Sequence, residues 1–304
     1  MKILITGGTG YLGYGLTREL LRTNTDIEEI VIYDNLSSRR YDFFTGAPMD
    51  KSKVRFMQGD ILDGRKLEKA LQGIDWVYHL AAKVTTPFAD RESHFYDQIN
   101  HWGSAQLAQS IERNPVKGLV YLSSASVYGD GAEQVNEGYE PHPNSFYGIS
   151  KFEGERQVER IKNTELFVIR CANIYGYNPA FRIDAVVNRF MFEAHFNGKI
   201  TIHGSGEQNR SFIHIDKAVH VLARLPLGKA KPGTYNLGEH NLSILDVADA
   251  IQAVYPEIEM MNVTHVMKMK NQSIELPVKL SRSIPWPEKE LHQELTEFKE
   301  AFAF

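Results

Sequence analysis

The sequence is poor in cysteine, with Cys171 alone in 304 residues. No intrachain disulfide can form, which fits a reducing compartment. It also has no apolar run approaching the ~20 residues that span a bilayer. The apolar start, Ile3-Leu4-Ile5, breaks at Gly7-Gly8, too early for the core of a secretory signal. Positive charge is not in excess either: 34 basic residues face 38 acidic ones, for a formal net charge of -4. Nucleic-acid binders ordinarily show a basic excess or stripe, and the run Ser38-Arg39-Arg40 is short. The expectation is a cytoplasmic protein with no nucleic-acid partner, no membrane association and no bound metal. Repeats, low-complexity tracts and long linkers are also lacking.

What is present is ordinary globular usage, 42% hydrophobic and 24% charged. The length allows one large domain or two closely joined ones. Short apolar runs alternate with helical patterns. Strands are expected at Lys2–Thr6, Ile30–Tyr33, Val54–Met57, Trp76–Leu80, Leu119–Ser123 and Leu166–Arg170. Helices are expected at Leu12–Leu21, Arg65–Leu71, Ser93–Arg113 and Phe146–Ile161. This alternation implies an α/β fold: a doubly wound parallel sheet of Rossmann type, covered on both faces. After residue 171 the pattern loosens, with a helix at Phe190–Phe196, a strand at Ile200–His203, a helix from Ser243 to Val254 and a charged helix after Pro287. A dinucleotide-binding domain over 1–171, with a returning segment near 212–242, is expected to carry a smaller C-terminal substrate-binding lobe built from 172–211 and 243–304.

Gly7-Gly8-Thr9-Gly10-Tyr11-Leu12-Gly13 joins the first strand to the first helix. Glycines 7, 10 and 13 let the turn tighten and a pyrophosphate approach the backbone, while the helix start offers free N–H groups. Asp34 ends the second strand, where a carboxylate accepts from ribose hydroxyls and repels an added phosphate, favouring NAD over NADP. Arg39 and Arg40 leave the phosphorylated cofactor open. Asp60, after Gly59, is placed to meet the adenine edge.

Tyr147 and Lys151 stand four apart on one helix face. An ammonium nearby favours phenolate, so Tyr147 could take a proton from a substrate hydroxyl near neutral pH. Ser124 lies at the carboxyl edge of the fifth strand, where its hydroxyl can serve the same oxygen.

These motifs, in this order, resemble the extended short-chain dehydrogenase/reductases, and within them the NAD-dependent epimerase/dehydratase family typified by UDP-glucose 4-epimerase. The landmarks are the glycine turn, Tyr33-Asp34-Asn35-Leu36, Gly59-Asp60-Ile61, His79-Leu80-Ala81-Ala82, Asn100, Ser124, Tyr147-x-x-x-Lys151, Arg170-x-x-Asn173-x-Tyr175-Gly176, Gly204 through Arg210, and Phe212-Ile213-His214-Ile215. The resemblance implies that Ser124, Tyr147 and Lys151 form the catalytic set. It implies that Gly7, Gly10, Tyr11, Leu12, Gly13, Asp34, Asn35, Asp60, Ile61, Leu80, Ala81, Ala82, Lys83, Asn100, Tyr147 and Lys151 hold NAD. Ser124, Asn173 and Arg210 would hold a nucleotide-diphosphate sugar. The resemblance also implies a homodimer paired through the helix before the fifth strand and the catalytic helix, with Ile99, Trp102 and Leu107 as face candidates.

Two departures matter. Family dehydratases carry Asp-Glu after the catalytic hydroxyl; here Ala125-Ser126 stands there. A later family arginine for the diphosphate is not recognisable in the lysine- and methionine-rich stretch Met267–Lys270. The expected reaction is therefore epimerisation of a nucleotide sugar, at C4 through a transient 4-keto intermediate. The alternatives are an NAD(P)H-dependent reductase of a nucleotide-linked 4-keto-6-deoxyhexose and a non-catalytic dinucleotide sensor.

Overall fold

A computed structural model describes residues 1–84, 93–131, 134–263 and 271–302. The stretch Met267–Lys270 lies outside the described residues.

Seven parallel strands form the main sheet: β1 (Lys2–Thr6), β2 (Glu29–Asp34), β3 (Val54–Gln58), β4 (Trp76–His79), β5 (Gly118–Ser124), β6 (Glu165–Cys171) and, after β7 (Asn173–Tyr175), β8 (Lys199–His203) and β9 (Asn209–His214), also β10 (Gly233–Leu237). Their spatial order is β10-β6-β5-β4-β1-β2-β3. Helices α1 (Tyr11–Thr23), α2 (Asp42–Thr45), α3 (Gly64–Ala70), α4 (Ser93–Tyr96), α5 (Gly103–Arg113) and α6 (Phe146–Val158) complete the first half. Strands β1, β2, β4 and β5 are buried on both faces, which is why they read as unbroken apolar runs. One face packs with Leu16, Leu20 and Leu222, the other with Leu67, Leu107 and Ile111. The chain reverses direction across the sheet between β1 and β4, and a crevice opens beyond the strand ends there, as such topologies require.

The single helix expected over Ser93–Arg113 is interrupted. Asp97–Trp102 forms a π-helical stretch between α4 and α5. The widened turn exposes Trp102 while burying Asn100.

The second lobe contains β11 (His240–Ser243) and β12 (Glu259–Val263), in sheets β11-β9-β7 and β12-β8. Helices α8 (Ile215–Arg224) and α10 (Lys279–Ser283) return to the main sheet, α8 packing on α1 and α10 beside β10, whereas the second lobe keeps α7 (Val186–Asn197), α9 (Ile244–Val254) and α11 (Leu291–Ala301). Its core gathers Phe190, Met191, Phe212, Ile251 and Phe298. Helix α9 starts as the sequence suggests: the Ser243 hydroxyl accepts from Asp246 N at 3.0 Å, and the Asp246 carboxylate accepts from Ser243 N at 2.8 Å. Met260 and Met261 are exposed on β12 and do not pack inside.

Candidate active site

The crevice is a cavity of about 1270 Å³, larger than an ordinary small-ligand pocket of ~300–1,000 Å³ and roomy enough for a dinucleotide beside a second nucleotide. Gly7, Gly10, Tyr11, Leu12, Gly13, Asp34, Asn35, Asp60, Ile61, Leu80, Ala81, Ala82 and Lys83 all line it, as do Ser124, Tyr147, Asn173 and Arg210.

The turn after β1 leaves room for an anion. Gly7 sits at φ +69°, and a Cβ there would meet Ala81 N at 2.6 Å, so only glycine fits. Helix α1 begins at Gly10 with no side-chain cap and no acidic residue in its first turn. Its N–H groups and positive dipole end are therefore available to a pyrophosphate. Asp34 accepts from Thr9 N at 3.1 Å and from Leu36 N at 2.8 Å, which fixes its carboxylate at the ribose position. Asp60 accepts from Asn35 Nδ2 at 2.8 Å and from Leu62 N at 2.9 Å. Arg39 is exposed in a left-handed conformation, whereas Arg40 turns into the cleft toward Asp184 and Asp42. These residues fit NAD.

Asn100 stands one layer behind the cleft. It is buried, its Oδ1 accepts from Lys83 N at 2.9 Å, and its Nδ2 donates to Lys83 O at 3.1 Å and Ser150 Oγ at 2.9 Å. Asn100 thus shapes the Leu80–Lys83 wall through the main chain. Deeper still, His79 hydrogen-bonds Thr6 Oγ1 at 2.7 Å and Ser104 Oγ at 3.1 Å. Burial, aided by Lys151, pulls its pKa down to about 3, so its ring stays neutral.

Ser124 ends β5 and caps a short 3-10 turn, Ala125–Tyr128, by accepting from Ser126 N at 3.2 Å. Ser145 caps α6 by accepting from Gly148 N at 3.1 Å, placing Tyr147 in the first helical turn. Burial pushes the Tyr147 phenol up; the Arg182 charge and a hydrogen bond with Ser124 oppose that, and Cys171 adds to it. Lys151, one turn on, is 2% exposed, with its ammonium 4.5 Å from the Tyr121 ring centre. Burial draws its pKa down to about 7, and Glu155 resists. Among the described residues, Arg182 is thus a cation that opposes the rise of the phenol, and the sequence did not single it out.

Behind Ser124 lies a buried ion pair. Glu155 accepts from Arg170 Nη2 at 2.8 Å and Nε at 3.1 Å, and also from the Ser123 hydroxyl. It ties the catalytic helix to β5 and β6.

On the substrate side, Asn173 Nδ2 donates to Ser211 O at 3.0 Å. The Arg210 Nε is buried with no hydrogen-bond partner among the described residues. A guanidinium so placed suits a diphosphate, since an unmade buried bond is costly.

The family model "NAD dependent epimerase/dehydratase family" matches residues 3–238. The chain is 30% identical over 269 residues to a dTDP-D-glucose 4,6-dehydratase of Dictyostelium discoideum, covering 82% of this chain but only 61% of that protein. In three dimensions it is similar to UDP-glucose 4-epimerase from Thermotoga maritima, with a TM-score of 0.85, 25% identity and coverage of 99% and 98% of the two chains. It shares its fold with a UDP-glucuronic acid 4-epimerase from Bacillus cereus holding NAD, with a TM-score of 0.87 at 24% identity and the same coverage. The cofactor is NAD, and the chain belongs to the NAD-dependent epimerase/dehydratase family, in the extended branch of the short-chain dehydrogenase/reductases.

Proposed function

We propose that this enzyme is a nucleotide-sugar 4-epimerase. One observation carries the choice: the turn after Ser124 continues as Ala125-Ser126, with no carboxylate where water elimination needs an acid and a base. Among the described residues, the carboxylates that line the cavity have other work. Asp34 and Asp60 hold the cofactor wall, Asp130 accepts from Asn271 N at 2.6 Å, Asp184 pairs with Arg182, and Glu193 accepts from Thr201 N at 3.0 Å.

When bound, NAD supplies an oxidising equivalent that is taken and returned within one turnover. Tyr147 removes the proton of the sugar 4-hydroxyl and gives it back. The Ser124 hydroxyl shares that proton and steadies the oxygen through the transient ketone. Lys151 supports the base and the cofactor ribose. Arg210 and Asn173 anchor the diphosphate while the ketone turns over between them. Closing the cleft to water protects the keto sugar. A homodimer through α4, the π-helical stretch and α6 accords with exposed Phe95, Trp102, Phe146 and Ile149. Leu107 is fully buried and Ile99 packs inward, so neither can serve that face.

The test is a panel of UDP-glucose, UDP-glucuronic acid and dTDP-glucose, incubated with purified enzyme and followed by proton NMR. The expected product is a 4-epimer at constant cofactor redox state. A 4-keto-6-deoxy product, or net consumption of NADH or NADPH with a keto sugar, would overturn the reading.

A further inference from the structure

The loop from Gly176 to Ala185 lies over the cleft and is latched to the phosphate turn. The Tyr11 hydroxyl donates to Gly176 O at 2.5 Å, and Asn178 Nδ2 donates to Tyr11 O at 2.7 Å. Asn188, fully buried, completes the latch: its Oδ1 accepts from Gly176 N at 3.0 Å, and its Nδ2 donates to Arg182 O at 3.0 Å. From this anchored loop Arg182 reaches back across the cleft. Its Nη2 donates to Val84 O at 3.2 Å, and Val84 packs against the Tyr96–Tyr147 pair. Asp184 grips the same guanidinium, accepting from Nε at 3.2 Å and from Nη2 at 3.1 Å. Arg182, Tyr147 and Ser124 line one cavity.

We propose that Arg182 is a positioning residue that holds a permanent positive charge against the Tyr147 phenol, with Asp184 setting how much of that charge the phenol feels. This rests on Tyr147 being the group that moves the proton. The argument is one of charge and constancy. A fixed cation near a phenol favours the phenolate. A guanidinium keeps its charge at every working pH. Arg182 therefore supplies a field that does not fade where the base must work.

Among the described residues, the phenol's neighbours are few. Ser124 and Tyr121 face it from β5, Cys171 from the end of β6, Tyr96 from α4 with ring centres 6.1 Å apart, and Arg182 from the loop. Lys83 lines the same cavity from the loop after β4. Arg182 is itself faced by Asp184 and by Arg40, which Asp42 partly offsets. Lys151 and Glu155 lie deeper along α6.

The experiment needs no substrate. NAD-loaded protein is titrated by tyrosinate absorbance, and the trace of the matching Tyr147→Phe protein is subtracted to isolate one phenol. Arg182→Gln should move that step to higher pH. Asp184→Asn should move it to lower pH. Arg182→Lys should fall between wild type and Arg182→Gln. Opposite signs from two changes in one ion pair are not what loosened packing produces. If Arg182→Gln fails to fold, the downward move in Asp184→Asn carries the test. Steps that stay put, or that move the same way in both charge variants, overturn the role of Arg182. Full turnover by Tyr147→Phe on the sugar panel would instead overturn the reading of Tyr147 itself.

Discussion

Replacing Lys151 by methionine should stabilise the fold while abolishing turnover. An ammonium ordinarily keeps its proton up to pH 10.5, and here burial brings that down to about 7. At about 1.36 kcal/mol per pH unit, holding the charge inside costs roughly 5 kcal/mol below pH 7. The sign follows from proton counting. Between pH 7 and 10.5 the unfolded chain binds the proton and the folded one does not, so stability rises with pH across that window. Methionine keeps the length of the chain and carries no charge, at a packing cost of less than about 1.5 kcal/mol. The variant should therefore gain about 3–5 kcal/mol over wild type at pH 6. At pH 9 the wild-type penalty has fallen to about 2 kcal/mol, and most of the gap should close. Urea denaturation of the cofactor-free proteins at both pH values measures this directly. A variant no more stable than wild type at pH 6, or a gap that ignores pH, refutes the reasoning. Such a result would mean that the ammonium is better solvated or better paired than its burial indicates.

Glu155→Ala should destabilise by about 3–5 kcal/mol, because it strands the Arg170 guanidinium in the interior; chemical denaturation reads it. Arg210→Ala should raise KM about tenfold or more with kcat largely kept, since it removes a charge-assisted bond to the diphosphate; steady-state kinetics separate the two. Asp34→Ala should weaken NAD and lose discrimination against NADP, as seen by calorimetric titration of both, because it frees Thr9 N and removes the ribose acceptor.

The first half of the fold was legible because of what parallel strands demand. Strands β1, β2, β4 and β5 are buried on both sides, so Ile3-Leu4-Ile5 and Leu119-Val120 announce themselves. The second half offers no such signal. Strand β12 is exposed along its whole length, and β11 is only half-buried. Strand β10, Gly-Thr-Tyr-Asn-Leu, reads locally as a turn, and only pairing with β6 makes it a strand. Helix α8 is hidden in the sequence because Phe212 to Ile215 reads as a strand-end motif, while its entry depends on the His214 side chain accepting from Asp216 N. The π-helical stretch leaves no trace in residue spacing. At the site, the glycine turn, Ser124 and Tyr147 were visible from their order along the chain and their places after strands β1 and β5, not from spacing alone. Arg182 was not: Arg-x-Asp in a loop is indistinguishable from a surface pair until the latch through Tyr11 and Asn188 places it. Asn100 was assigned to the cleft, yet its part is played through main-chain bonds that no motif displays.

The position of β10 bears on how this molecule can be made and remade. The sheet's outermost strand on that side is synthesised only after much of the second lobe, so a ribosome that has released residues 1–171 presents β6 with a bare apolar border. Such borders recruit other chains. Grafting a relative's sugar-binding portion onto this scaffold must therefore carry along 233–237, or replace it with something that seals the same margin.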